Sequence, residues 1–316
     1  MSSQIKRVKA SSEPEQPKRR VTRRGFLQTA LGVTLAASAV GGLGALYALK
    51  IEPGWVQVVR RDVHLPRLAK AFDGFTIAQL SDIHRGPYMS EESLRRVVGM
   101  VNELAPDLIV LTGDFVAGQA HFAPSCARAL AQLAAPHGVW AVLGNHDVWS
   151  SAGAVVHALE QANVRVLRDA RHSITLEDQH LWLLGLEDMG ITAFMGTSFE
   201  GFRNKWGRSM ATLGELLGDI PQHEARLLLV HNPDVTEMLA QVPVDLALCG
   251  HTHGGQVRLP LLGSPIVPSF FGEKYVCGLV EGPGSLVYIN RGLGVISPPV
   301  RLNCRPELTL LRLRPL

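Results

Sequence analysis

The feature that most constrains this 316-residue chain is a pattern that recurs five times: a short apolar run ends abruptly in a cluster of Gly, Asp, Asn or His. Four of the runs are uninterrupted, at 108–111, 139–143, 227–230 and 246–249, as expected of strands buried on both faces. A fifth, 75–80, also reads as a strand. Helical spacing fills the intervals. Ser90 has the position of an N-cap, Leu94, Val97, Val98, Val101 and Leu104 follow on one face, and Pro106 closes the helix. Further helices are expected near 125–134, 152–162, 209–217 and 234–241, and late strands around 286–289 and 308–312. Strands and helices in alternation select a layered α/β architecture.

The polar clusters carry the chemistry. In order they are Ser81-Asp82-Ile83-His84, Gly113-Asp114, Gly144-Asn145-His146-Asp147, His231-Asn232 and Gly250-His251-Thr252-His253-Gly254-Gly255. A lone Asp-x-His is usually a surface or satisfied core pair. Five clusters at the ends of strands are different, because the carboxyl ends of strands line the ligand crevice of layered α/β folds. Carboxylate, imidazole and amide oxygen together suit a borderline divalent ion such as manganese, iron or zinc.

Over roughly residues 72–316 these blocks resemble the calcineurin-like metallophosphoesterase superfamily. The segments Ile289-Asn290-Arg291-Gly292-Leu293-Gly294 and Arg301-Leu302-Asn303-Cys304-Arg305-Pro306-Glu307 are similar to its branch of exported or membrane-attached bacterial phosphodiesterases. The resemblance implies a four-layer α/β/β/α sandwich holding two divalent metal ions. It assigns Asp82, His84 and His253 to one ion, Asn145, His231 and His251 to the other, and Asp114 to both. Two ions about 3.5–4 Å apart clamp the attacking and leaving oxygens of an in-line displacement at phosphorus. His146 is expected to stabilise the transition state or protonate the leaving alkoxide without binding metal. Asp147 either orients a histidine or caps a turn.

Departures from the family pattern narrow the activity. Protein phosphatases of the superfamily extend the second block to Gly-Asp-x-x-Asp-Arg, whereas Asp114 is followed by Phe115-Val116-Ala117-Gly118, which counts against a phosphoprotein substrate. Purple acid phosphatases place a tyrosine ligand where Ala117 stands, so a tyrosinate-bound ferric site is not expected.

The N-terminus sets the compartment. Thr22-Arg23-Arg24-Gly25-Phe26-Leu27-Gln28 resembles a twin-arginine export signal, and residues 26–49 contain no charge. Residues 1–50 are therefore expected to be a signal, cleaved near Ala37-Ser38-Ala39, or a membrane anchor helix; residues 51–316 form the enzyme domain. Either way the body is exported to the periplasm or cell envelope, with the export machinery as a partner and the membrane as another if the segment is retained. Residues 1–24 hold eight basic and two acidic residues, leaving the body with 23 basic against 26 acidic, and this gives no support to a nucleic-acid partner. The four cysteines lack zinc-knuckle spacing; Cys277 and Cys304 either pair or are small buried hydrophobes.

Two substrate clues remain. Arg85 either contacts a phosphate oxygen or is a surface arginine. Residues 189–206, with Met189, Ile191, Phe194, Met195, Phe199, Phe202 and Trp206, form either a lid for an apolar aglycone or a long loop packed on the core. The expected activity is hydrolysis of an envelope phosphodiester, either a phospholipid or a lipid- or nucleotide-linked (di)phosphate. The alternatives are a broad phosphomonoesterase and a metal-stabilised binding module without turnover. The related branch that cleaves a diacylated sugar nucleotide works on the cytoplasmic face, so the export signal counts against that substrate.

Overall fold

The computed structural model describes residues 22–316. The chain divides into two compact units between Ala45 and Leu46. In the first, helix α1 (Arg23–Leu46) begins at the paired arginines; the polar stretch before Thr22 lies outside the described residues. Among the described residues no helix is long and apolar enough to cross a membrane.

The second unit is built on two six-stranded mixed sheets. The first contains β1 (Gln57–Leu65), β2 (Thr76–Leu80), β3 (Leu108–Thr112), β4 (Val139–Val142), β5 (Arg165–Val166) and β12 (Glu307–Pro315), ordered β1-β12-β2-β3-β4-β5. The second contains β6 (Ala170–Leu176), β7 (Gln179–Gly185), β8 (Ala225–Leu229), β9 (Leu246–Cys249), β10 (Gly278–Glu281) and β11 (Leu286–Ile289), ordered β10-β11-β9-β8-β7-β6. Ile77, Leu108, Val110 and Trp140 of the first sheet meet Leu181, Leu227, Leu229 and Leu248 of the second in one apolar layer.

Helices cover the outer faces. α2 (Glu91–Glu103) is capped by Ser90 Oγ, which accepts from Ser93 N, and it packs with α3 (Ala123–Leu130) and α4 (Asn145–Gln161) over the first sheet. α5 (Phe199–Gly218) buries Phe202, Trp206 and Leu213 against the second. This is the four-layer α/β/β/α sandwich. α5 starts ten residues before the expected 209, so the second half of 189–206 is helix rather than lid or loop. Segment 234–241 forms only the 3-10 turn Pro233–Met238, capped by Asn232, whose side chain accepts from Asp234 N. All four cysteines are free, which settles Cys277 and Cys304 as unpaired.

Strands β2, β3 and β4 are mutually parallel, as are β7, β8 and β9, so their carboxyl ends gather at one end of the sandwich. Cross-sheet hydrogen bonds lock that end: Gln79 Nε2 donates to Cys249 O at 2.9 Å, and His231 Nδ1 bonds Thr112 O at 2.7 Å.

Candidate metal centre

The backbone bends sharply at the first, second and last clusters. Asp82, His84, Asp114, His251 and His253 all have positive φ, from 46° to 73°. Non-glycine residues enter this region at a cost, and concentrated strain of this kind marks functional sites. Glycine makes the approach possible: a Cβ on Gly144 would lie 2.3 Å from Asp114 Oδ1, and one on Gly250 would lie 2.3 Å from Asp82 Oδ2.

The bends bring three overlapping groups into ligating range, namely Asp82, His84 and His253; His84, Asp114 and His146; and Asp82, Asp114 and His231. His84 Nε2 and His253 Nε2 approach to 3.0 Å, and Asp82 Oδ1 lies 3.3 Å from the latter. Asp114 Oδ2 stands between the groups, 3.4 Å from His84 Nε2 and 3.3 Å from His231 Nε2. The carbonyl of Thr112 can only accept, so His231 Nδ1 carries a proton there and Nε2 faces the cluster. The rings of His231 and His251 meet edge to face at 5.2 Å.

Electrostatics follow burial. Burial pushes His84 and His251 down to about 3 and His253 well below the usual histidine range, leaving three neutral imidazoles. Burial also raises Asp82 to about 6, with the Asp114 charge adding to it. Burial opposes the charge of Asp114, but His231, His146 and His84 around it hold its carboxyl well below the usual range. Burial opposes charge on its counterpart His231, but Asp114 raises it well above its usual value, so a bound cation would displace the proton on Nε2.

The donor set fits divalent cations. Asn145 Oδ1, His231 Nε2 and His251 Nε2 are buried with no hydrogen-bond partner. Each unmade bond costs roughly 1–3 kcal/mol, a cost that a bound cation reverses. Manganese at about 100 times its dissociation constant should therefore stabilise metal-free protein by about 2.7 kcal/mol and raise Tm by about 5 °C or more. Differential scanning fluorimetry with and without chelator checks this; an unchanged Tm would contradict a bound ion.

Other expected residues are placed differently. His146 N donates to Asp114 Oδ1 at 2.8 Å, and its half-buried ring lies 4.7 Å from that of His84. Asp147 caps the turn and does not orient a histidine: its carboxylate accepts from Phe115 N, Val116 N and Gly144 N, tying the second cluster to the third. Arg85 Nη1 donates to the carbonyls of Gly86 and Met89 and the guanidinium stacks over Phe122, so it braces its own loop.

Asp188 is a residue that sequence reasoning missed. It follows β7 as the ligands follow their strands, and it is buried with Oδ2 unpartnered. Burial pushes its carboxyl up to about 7. The neutral acid therefore contributes stability that is fully present below the unfolded value near 3.8 and lost as pH rises through about 7. In chelator-treated protein Asp188→Asn should remove part of the fall in Tm between pH 5 and 8; an identical fall in the variant would contradict this.

With the geometry established, comparison with known proteins decides the family. The model of the calcineurin-like phosphoesterase family matches residues 75–255. The chain belongs to that family. The phosphoesterase is 33% identical over 300 residues to phosphodiesterase YaeI of Escherichia coli, covering 93% of this chain and 99% of that protein. It is 32% identical over 300 residues to the uncharacterized metallophosphoesterase YkuE of Bacillus subtilis, covering 94% and 99%. It is 27% identical over 320 residues to the UDP-2,3-diacylglucosamine pyrophosphatase LpxG of Chlamydia trachomatis, covering 90% and 96%. The protein is accordingly a metal-dependent phosphoester hydrolase.

Proposed function

We propose that this phosphoesterase is a dinuclear phosphodiesterase of the cell envelope, acting on a phospholipid or on a lipid- or nucleotide-linked (di)phosphate. The observation that carries the reading is the position of Asp114 Oδ2 between His84 Nε2 and His231 Nε2, one nitrogen from each side of the cluster. Asp82, His84, His253 and Asp114 would hold one divalent ion, and Asp114, Asn145, His231 and His251 the other. Such ions offset negative charge developing at phosphorus and activate water at neutral pH. The protein's own part is to keep three imidazoles neutral, to hold Asp114 between the two sets, and to present His146 beside the reacting group for proton transfer to the leaving oxygen.

Diester over monoester is supported by charge. Arg301 is buried and bonded to the carbonyls of Arg291, Gly292, Gly294 and Cys304, and Arg291 pairs with Glu307. Arg301 and Arg291 are therefore committed within the protein rather than to the second charge of a monoester. The names of YaeI and LpxG support a diester and a lipid-linked diphosphate respectively. Manganese, iron and zinc all suit the donors. Export is supported by Arg23-Arg24 and the uncharged run after them.

Hydrolysis of paired chromogenic diester and monoester substrates tests the reading. Metal-dependent turnover of the diester in excess of the monoester is expected. The reverse preference would favour the monoesterase, and a folded, metal-loaded protein that turns over neither would favour a binding module.

A further inference from the structure

The loop that carries His251 and His253 continues into a tight turn whose ends are bonded to each other, with Leu259 N donating to Gly263 O at 2.8 Å and Gly263 N to Leu259 O at 3.1 Å. At its tip Leu261 is fully exposed in a left-handed conformation, φ 67°, and Leu262 and Ile266 are 79% and 64% exposed. Leucine gains nothing from that conformation or from water at that position. The turn is held rigidly beside the site: Ser264 Oγ donates to Gly254 O, and Arg258 N to Leu302 O.

A second set of exposed apolar side chains is tied to the same support. Arg301 N donates to Ala48 O, and the buried Glu52 carboxylate accepts from Asn303 N and Cys304 N. These bonds fix the segment bearing Leu49, Ile51 and Trp55, which are 43%, 52% and 51% exposed. Lys50 is exposed among them, and the Arg305 guanidinium stacks 3.9 Å from the Trp55 ring centroid. Apolar side chains with a tryptophan and basic groups at their margin match the composition of a bilayer interface. Leu49 also ends the uncharged run of residues 26–49, so the chain reaches this face directly from its most apolar segment.

We propose that this face docks on an anionic lipid bilayer, with Leu261 and Leu262 entering the acyl region and Trp55 and Lys50 at the headgroups. A protruding tip fits a deformable lipid phase, whereas a second copy would need a matching pocket. His253 stands eight residues before Leu261 on the same loop, so docking would hold the metal centre at the lipid surface. The proposal stands independently of the substrate reading.

The test uses the full chain reconstituted in vesicles of phosphatidylethanolamine and phosphatidylglycerol. Leu261→Cys, in a Cys277→Ser background, carries an environment-sensitive fluorophore; Thr175→Cys, in the strand preceding the β6–β7 turn, is the control. Acyl-chain spin-labelled lipid should quench the Leu261 label at least about twofold more than the control. Equal quenching would overturn the proposal. A blue shift of the Leu261 label that appears without lipid and grows with protein concentration would assign the face to a second copy and also overturn it. Turnover of a soluble diester by the same samples reports the catalytic reading separately, so either reading can fail while the other stands.

Discussion

Asp114→Asn should lower kcat/KM for a chromogenic diester by about 10³-fold or more in a protein that still folds. Oδ1 of the carboxylate accepts from His146 N, and Oδ2 faces His84 and His231 together. The amide retains one acceptor for His146 N but places a neutral group where His84 Nε2 and His231 Nε2 converge, so the charged bridge between the two groups is lost. Metal analysis by mass spectrometry should show the variant holding fewer ions than the parent at equal free metal. Full metal content with parental activity would remove Asp114 from the bridging position.

His146→Ala should lower kcat about 10²–10⁴-fold for a diester with an alkyl leaving group, and much less for p-nitrophenolate, which departs without a proton. The side chain faces the cluster from the first turn of α4, edge to face with His84 and 4.8 Å from the Trp149 ring, while its backbone amide is anchored on Asp114. Metal content should stay at the parental level. Equal losses with both leaving groups would point to stabilisation of charge at phosphorus, and a loss of metal would make His146 a ligand.

The elements that were legible in the sequence are those buried on both faces. β3, β4, β8 and β9 are buried at every position and, Thr112 and Arg226 aside, apolar, because helices or a second sheet cover each side, and the ligand clusters follow them. β1 was not legible because its middle, Arg60-Arg61-Asp62, is exposed at a sheet edge, and its partner β12 supplies the order. The β6–β7 hairpin was missed for a related reason: His172, Thr175 and His180 interrupt its apolar alternation. Missing β7 hid Asp188, which occupies the same strand-end position as the proposed ligands. α5 begins earlier than expected because Phe199, Phe202 and Trp206 extend the buried face of Leu213 and Leu217 toward the N-terminus, a stripe masked by Gly201 and Gly207 between them. Arg85 and Asp147 look functional by position; only their hydrogen bonds show that they brace loops.

The two-ion site is tested most directly by titrating chelator-treated protein with manganese and following hydrolysis of a soluble chromogenic diester. No turnover is expected without metal, and the rise should level off at about two ions per chain, as a two-ion site requires. Turnover that persists in chelator, or that is complete with a single ion, would contradict it.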